Sequence, residues 1–453
     1  MFGKVFHWLW LFGLLSLLVG CWGARSSTQL ASPTPPPSQT RLIATPSVAL
    51  PTLATTTTLP TLSPVTPPTQ ASQGSMLGCQ VARPTTWDTV IDKGTLTLPA
   101  EVTRDAPGPH FRFGLLSSDG HRWFGTLKST DWSGLVTGRV GESSYHRIYQ
   151  IGSSVEELGI LVANERWLIF SWAKDATWGE WRLFAWDAQN NQLLELSHNQ
   201  PGDTIPGWLI LPALSKDKIA WVQGGLTTTS PESNQTFHST LHLYDLSARV
   251  DHVLPTMRAI YPVVFWGNEL LWMEWEQFSL QSPENRRAKI AMADALTGEL
   301  EPPPAPLIAH QQEIAYLAAS PTLLAWTDTH TLWIWHPGDA EAQAVYRQPE
   351  PTNSHAIQFL TIAGPLIAWT PPSPPPMIFD TRSGSATQLN GWAAGLENNR
   401  VLIATFATTT ATKPGSTDPL LGIPVPGPSD IPHIVDLSAL PPLPACQGNK
   451  GSI

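Results

Sequence analysis

The chain has 453 residues, with 26 basic side chains against 36 acidic ones and a net charge of -10. Only 14% of its residues are charged and no basic run occurs, which excludes a nucleic-acid partner, because phosphate binding needs clustered Lys and Arg. The acidity is dispersed and serves solubility.

The first element is a short apolar run from Val5 to Val19, preceded by Lys4 and closed by Leu18-Val19-Gly20-Cys21. A basic start, an apolar core and a small residue before the cut site make a secretory signal over residues 1–20. As a helix the run spans only ~22 Å, short of a ~30 Å hydrocarbon core, so an uncleaved anchor would be strained. Plain secretion is the third reading, and all three place the remaining chain outside the cytosol. The Leu-Val-Gly-Cys ending resembles the bacterial lipobox. That resemblance implies that Cys21 receives lipid, becomes the first mature residue, and tethers the protein to the outer face of the cytoplasmic membrane or cell envelope.

Residues 21–75 follow as a tether. Between 31 and 75 there are eleven Thr, ten Pro and six Ser, with Arg41 as the sole charge. No period of 2 or 3.6 survives, and such a stretch cannot bury enough surface to order itself. Its proline content favours extended segments reaching at most ~140 Å. It reads as a spacer lifting the next domain clear of the membrane, or as a linker of no particular length.

From residue 76 the chain repeats. The unit is an apolar strand ending in tryptophan, a hairpin, and a partner strand ending in aspartate. The tryptophan column is Trp172, Trp221, Trp272, Trp326 and Trp369, with Thr405 in the sixth copy, at spacings of 49, 51, 54, 43 and 36 residues. The aspartate column is Asp187, Asp245, Asp294, Asp380 and Asp436, with His336 in the fourth copy. A period of this size made of short β-branched and aromatic strands predicts an all-β, single β-propeller with minor helices. Residues 100–156 supply a divergent seventh blade around the Asp119-Gly120 turn. The last copy lacks a final strand, and the segment Thr95–Leu98 is predicted to fill that gap and close the ring without an exposed edge. The domain is thus 76–446, with a disordered tail at 447–453.

Apart from Cys21, the cysteines are Cys79 and Cys446, which flank the repeat array. In an exported protein they read as a disulfide that staples the two ends of the ring. Two lone cysteines lack metal-site spacing, so no metal and no cofactor is expected. Strands such as Leu241-His242-Leu243-Tyr244-Asp245-Leu246 behind a terminal Trp resemble the TolB-type and WD40-like propeller repeats of bacterial envelope proteins, over roughly residues 100–440. The resemblance implies an architecture and no particular activity.

Both columns read as structural: the indoles as packing between blades, the aspartates as turn caps bonding nearby amides. His238 and His242, four apart, read as a surface pair without carboxylate neighbours. Glu269, Glu274 and Glu276, clustered around Trp272 and Trp275, are the candidate acid–base group. The insertions Pro371–Pro376 and Lys413–Pro432 fall between the column strand and its partner and read as exposed loops. The function this supports is a non-catalytic, monomeric binding or scaffolding module for a protein or cell-wall polymer, with the membrane as a second partner through the lipid on Cys21. The alternative is an envelope glycan hydrolase or lyase.

Overall fold

A computed structural model describes residues 75–445, apart from 78, 97–109, 129–131, 154, 176–177, 200–210, 228–235, 257, 278–286, 312–313, 329, 348–356, 372–374 and 406–430. The signal segment, residues 21–74 of the tether with Cys21, Cys446 and the tail 447–453 therefore lie outside the described residues, whereas Ser75, the last residue of the expected tether, is in a strand.

The strands form seven antiparallel sheets in chain order, spanning 110–150, 157–198, 213–253, 259–301, 316–347, 358–388 and 391–436. The first strands of successive sheets touch one another, so each sheet is a blade whose strands, a to d, run outward from a common axis. The fold is a seven-bladed propeller, as the repeat predicts. Its blade-1 strands, His110–Leu116, Arg122–Lys128, Ser133–Arg139 and Tyr145–Gln150, match the expected hairpins.

Burial explains the sequence pattern. Each b strand has a blade on either side, so both of its faces are apolar: Leu323–Thr327 is buried at every position. The runs therefore read as continuous rather than alternating. The d strands of blades 1 to 4 face solvent, and Val250–Val253 is exposed throughout.

Strand register corrects two members of the tryptophan column. Counting from the residue that opposes the column aspartate, the third residue along is Trp221, Trp272 and Trp369 in blades 3, 4 and 6. In blade 5, where His336 replaces the aspartate, Trp326 opposes Trp333. In blade 2 the equivalent residue is Phe170, not Trp172, and in blade 7 it is Ile403, not Thr405. These residues fill the seam to the preceding blade. Phe170 packs with Phe124 and Leu135 of blade 1, Trp272 with Val222 and Leu241 of blade 3, and Ile403 with Ile378 of blade 6. Trp221, Trp272, Trp326 and Trp369 are all fully buried. Trp172 lies two residues further along the same face and is only partly buried. Blade 1 has Gly125 at the column position and places its indole two residues earlier, at Trp123. A Cβ on the opposing Gly138 would lie 2.4 Å from that indole, so glycine makes the room.

Closure uses the N-terminus more widely than expected. Ser75–Met76 joins the outer edge of blade 5 and Cys79–Gln80 that of blade 6. The helix Thr85–Lys93 then turns Trp87 and Ile91, four apart, into the core of blades 6 and 7. Gly94 ends it where a side chain would strike the Ile434 carbonyl. Thr95 bridges to His433 as the missing outer strand of blade 7, flanked by Leu96 N–H donating to Pro432 O and Ile434 N–H donating to Gly94 O, both 2.8 Å. Residues 97–98 of the expected strand lie outside the described residues. One extended segment thus belts three consecutive blades.

Candidate recognition face

Antiparallel blades sort their connections by face. The a–b and c–d turns lie on one side, the b–c and d–a connections on the other. The a–b turns are 117–121, 164–166, 216–217, 267–268, 321–322, 364–365 and 397–399. Opposite them, the b–c connections run from 328–330 in blade 5 through 228–235 and 278–286 in blades 3 and 4 to 406–430 in blade 7. We call the two sides the turn face and the loop face.

The aspartate column builds the turn face. Asp245 Oδ1 accepts from Ser247 N–H (3.0 Å) and Ala248 N–H (2.8 Å), and Asp294 Oδ1 from Leu296 N–H (2.8 Å) and Thr297 N–H (2.7 Å). Asp436 accepts from the backbone and hydroxyl of Ser438, and Asp187 from Gln189, Asn190 and the Arg166 guanidinium. Asp380, fully buried, holds Arg382 and also accepts from Leu443 N–H at 3.0 Å. Hydrogen bonds from Thr297 and Leu296 hold the Asp294 carboxyl below its ordinary value, and those from Ser438 do the same for Asp436. Burial pushes Asp187 and Asp245 upward, but their combined hydrogen bonds outweigh it and both end lowered. Adjacent turns are stitched across blades: Ser118 N–H donates to Ala163 O (2.9 Å) and Asn164 Nδ2 to Lys216 O (2.6 Å).

The loop face carries different chemistry. Blades 3 and 4 extend there as long b–c hairpins, Lys218–Thr227 with Thr236–Asp245 and Glu269–Gln277 with Arg287–Asp294. Beside them, the loop-side end of blade 2 gathers indoles and carboxylates. Trp172 Nε1 donates to Glu156 Oε2 at 2.7 Å, and Trp178 Nε1 to Glu157 Oε2 at 3.0 Å. Arg182 lies 5.7 Å from the Trp172 ring and pairs with Glu195 at 3.1 Å. Burial, then the charge of Glu156, raises the neighbouring Tyr149 phenol. Trp172, placed one step off the column by the repeat pattern, thus joins this cluster through its indole N–H while its ring packs against the outer margin of the seam between blades 1 and 2.

Other sequence candidates fall apart or regroup. Glu269 lies at the turn-face end of its strand, opposite Asp294, while Glu274 reaches Lys289 at 3.9 Å on the loop side. Among the described residues, the carboxylates that converge are Glu269, Asp294 and Glu301, with oxygens within 4.8 Å. Burial, then Glu301 and Asp294, raises Glu269. His242 is not without a carboxylate: its Nδ1 meets Asp251 Oδ2 at 2.8 Å, and its ring stacks on Trp221 at 4.7 Å. His238 is exposed. Pro371–Pro376 does lie between strands, but its two ends, Pro371 and Pro376, are buried rather than exposed. Pro432 belongs to the strand Ile431–Asp436, where its carbonyl takes the closure bond from Leu96.

No protein-family profile and no curated protein matches this chain. Solved structures similar to it include the β-propeller domain of the trilobed protease from Pyrococcus furiosus, at 13% identity and a TM-score of 0.43, covering 62% of this chain and 84% of that one. An acylaminoacyl peptidase from Pyrococcus horikoshii is similar at 12% identity and a TM-score of 0.42, covering 62% of this chain and 45% of the peptidase. An oligogalacturonate lyase in complex with manganese shares 12% identity at a TM-score of 0.37, with 68% and 80% covered. The ring itself rests on the strand pairing described above.

Proposed function

We propose that this protein is a non-catalytic recognition module whose loop face binds a protein or a cell-envelope polymer. The observation that carries the reading is the asymmetry of the two faces. Connections on one side are short and tied to the scaffold by carboxylates, while those on the other differ in length from blade to blade. Variable loops on a rigid frame are how binding surfaces are built. The indole–carboxylate cluster around Trp172 supplies one flat aromatic and several hydrogen-bonding groups on that side.

The test compares substitutions on the two faces, with native envelope material as bait. Shortening 413–430 to a Gly-containing turn, or Trp172→Ala, should reduce capture, while Leu296→Ser on the turn face should leave it intact. Loss of capture on the turn-face change alone would overturn the assignment.

The same reading holds the ring at a membrane through lipid on Cys21. Cys21→Ser should release the protein or leave it unprocessed, as followed by labelling with a fatty-acid analogue. Label retained on Cys21→Ser would remove the anchor from this account.

A further inference from the structure

The closing seam of the ring contains a histidine with no exposed surface to speak of. His433 is 3% exposed and sits on the middle strand pair of the closure, opposite Thr95. Both ring nitrogens are engaged: Nδ1 lies 3.0 Å from Thr95 Oγ1 and Nε2 lies 2.9 Å from Thr405 Oγ1. Thr95 Oγ1 also donates to Asp92 O at 2.7 Å, which uses its one proton. Nδ1 must then carry hydrogen and donate to Thr95, while the Nε2 lone pair accepts from Thr405. The neutral ring is thereby satisfied on both sides, by one residue of the N-terminal segment and one of blade 7.

We propose that His433 is an acid-sensitive clasp: neutral, it holds the N-terminal segment on blade 7, and protonated, it lets residues 94–96 come away. The groups facing the ring from the packed elements are the neutral Thr95 and Thr405 and the Ile91 carbonyl, with Asp92 as the charge on the helix. Burial lowers the imidazole below its ordinary 6.5, while the Ile91 carbonyl and Asp92 pull the other way without restoring it. The sign follows. A histidine whose closed-state pKa is depressed favours closure while neutral, and the open seam takes up the proton first as pH falls below about 6.5. Among the described residues, two backbone hydrogen bonds, Leu96 N–H to Pro432 O and Ile434 N–H to Gly94 O, join residues 94–96 to the last strand of blade 7, so the device acts where the closure is thin.

Amide hydrogen exchange on the whole chain tests this. After correction for intrinsic rates, opening at the Leu96 and Ile434 amides should rise as pH falls below about 6.5, by at most tenfold per pH unit. The Leu243 amide in blade 3 should not follow. His433→Gln keeps a neutral donor and acceptor and should abolish the pH dependence at the seam. Persistence of that dependence in His433→Gln, or its absence in the unaltered protein, would overturn the clasp. If His433→Gln does not fold, the ring protons of His433 in the unaltered protein decide by NMR titration: a midpoint below 6.5 supports the clasp, and one at or above it refutes it.

Discussion

The turn face and the loop face are made by the same strands, yet only one of them is constrained. On the turn face a carboxylate ends the c strand in five blades, and each accepts from the amides of the turn that follows. A turn that must bring its amides to one carboxylate cannot grow freely. Among the described residues of the loop face, Asp328 is a comparable cap, accepting from His330 N–H, Thr331 N–H and Trp333 Nε1. It sits in the three-residue connection of blade 5, the shortest b–c link in the ring. In blade 5, as on the turn face, a short connection and a side-chain cap therefore go together.

The largest effect that can break this comparison is beneath both faces. Trp326→Ala should cost ~3–5 kcal/mol, because it empties a fully buried seam position. Trp172→Ala, in the loop-face cluster, should cost less than about 2 kcal/mol because its indole is only partly buried. Denaturant titration of both variants checks the register, and equal losses would return Trp172 to the seam. Next, we propose that Cys79 and Cys446 are joined, with removal of the bond costing ~2–4 kcal/mol. Cys79 pairs with Ser385, whose hydroxyl donates to Pro444 O at 2.8 Å, two residues before Cys446. Mass spectrometry of a non-reduced digest decides it, and two free thiols would refute the bond.

Asp380→Ala should destabilise by about 1–3 kcal/mol, since it strands the buried Leu443 amide and leaves the Arg382 guanidinium only its bond to Leu440 O. Acid sharpens the same point. Asp187, Asp245, Asp294 and Asp436 are held below the ordinary carboxylate value, so their contribution is complete above about pH 4 and is lost as pH falls through the lowered values. Exchange at the Thr297 and Ser438 amides should therefore stay flat near pH 6 and rise only in stronger acid. The smallest effect is expected on the loop face, where shortening 413–430 should shift stability by less than about 0.5 kcal/mol. A larger loss would show that the loop face is as constrained as its opposite.

Blade number and strand order were legible because each b strand is buried on both faces and leaves a continuous apolar run. The aspartates were legible because one carboxylate per repeat at a strand end has few other uses. The column register was not. Trp167-Leu168-Ile169-Phe170-Ser171-Trp172-Ala173 carries large rings at two same-face positions, and composition cannot say which one the neighbouring blade covers. The rim segment was hidden for another reason: Ser75–Met76 and Cys79–Gln80 are two-residue pairings with no periodicity to detect. The link from His242 to Asp251 spans a c–d hairpin, so it depends on a turn length that spacing alone does not reveal. The cluster around Trp172 draws Glu156 from the connection before Glu157–Ala163 and Arg182 from the strand Trp181–Asp187, and only the folded blade brings them together.

The belt across blades 5 to 7 also fixes an order of events during synthesis. Ser75 pairs with Arg347, Cys79 with Ser385 and Thr95 with His433, so the first part of the ring to be made is the last to find its partners. A growing chain can complete blades 2 to 4 from local hairpins as they emerge, but residues 75–96 must stay unpaired until the final blades exist. A chain ending before residue 431 would present an open seam and an unattached leading segment. Emergence of the strand Ile431–Asp436, rather than formation of any earlier blade, is then the moment at which the circle becomes a cooperative unit.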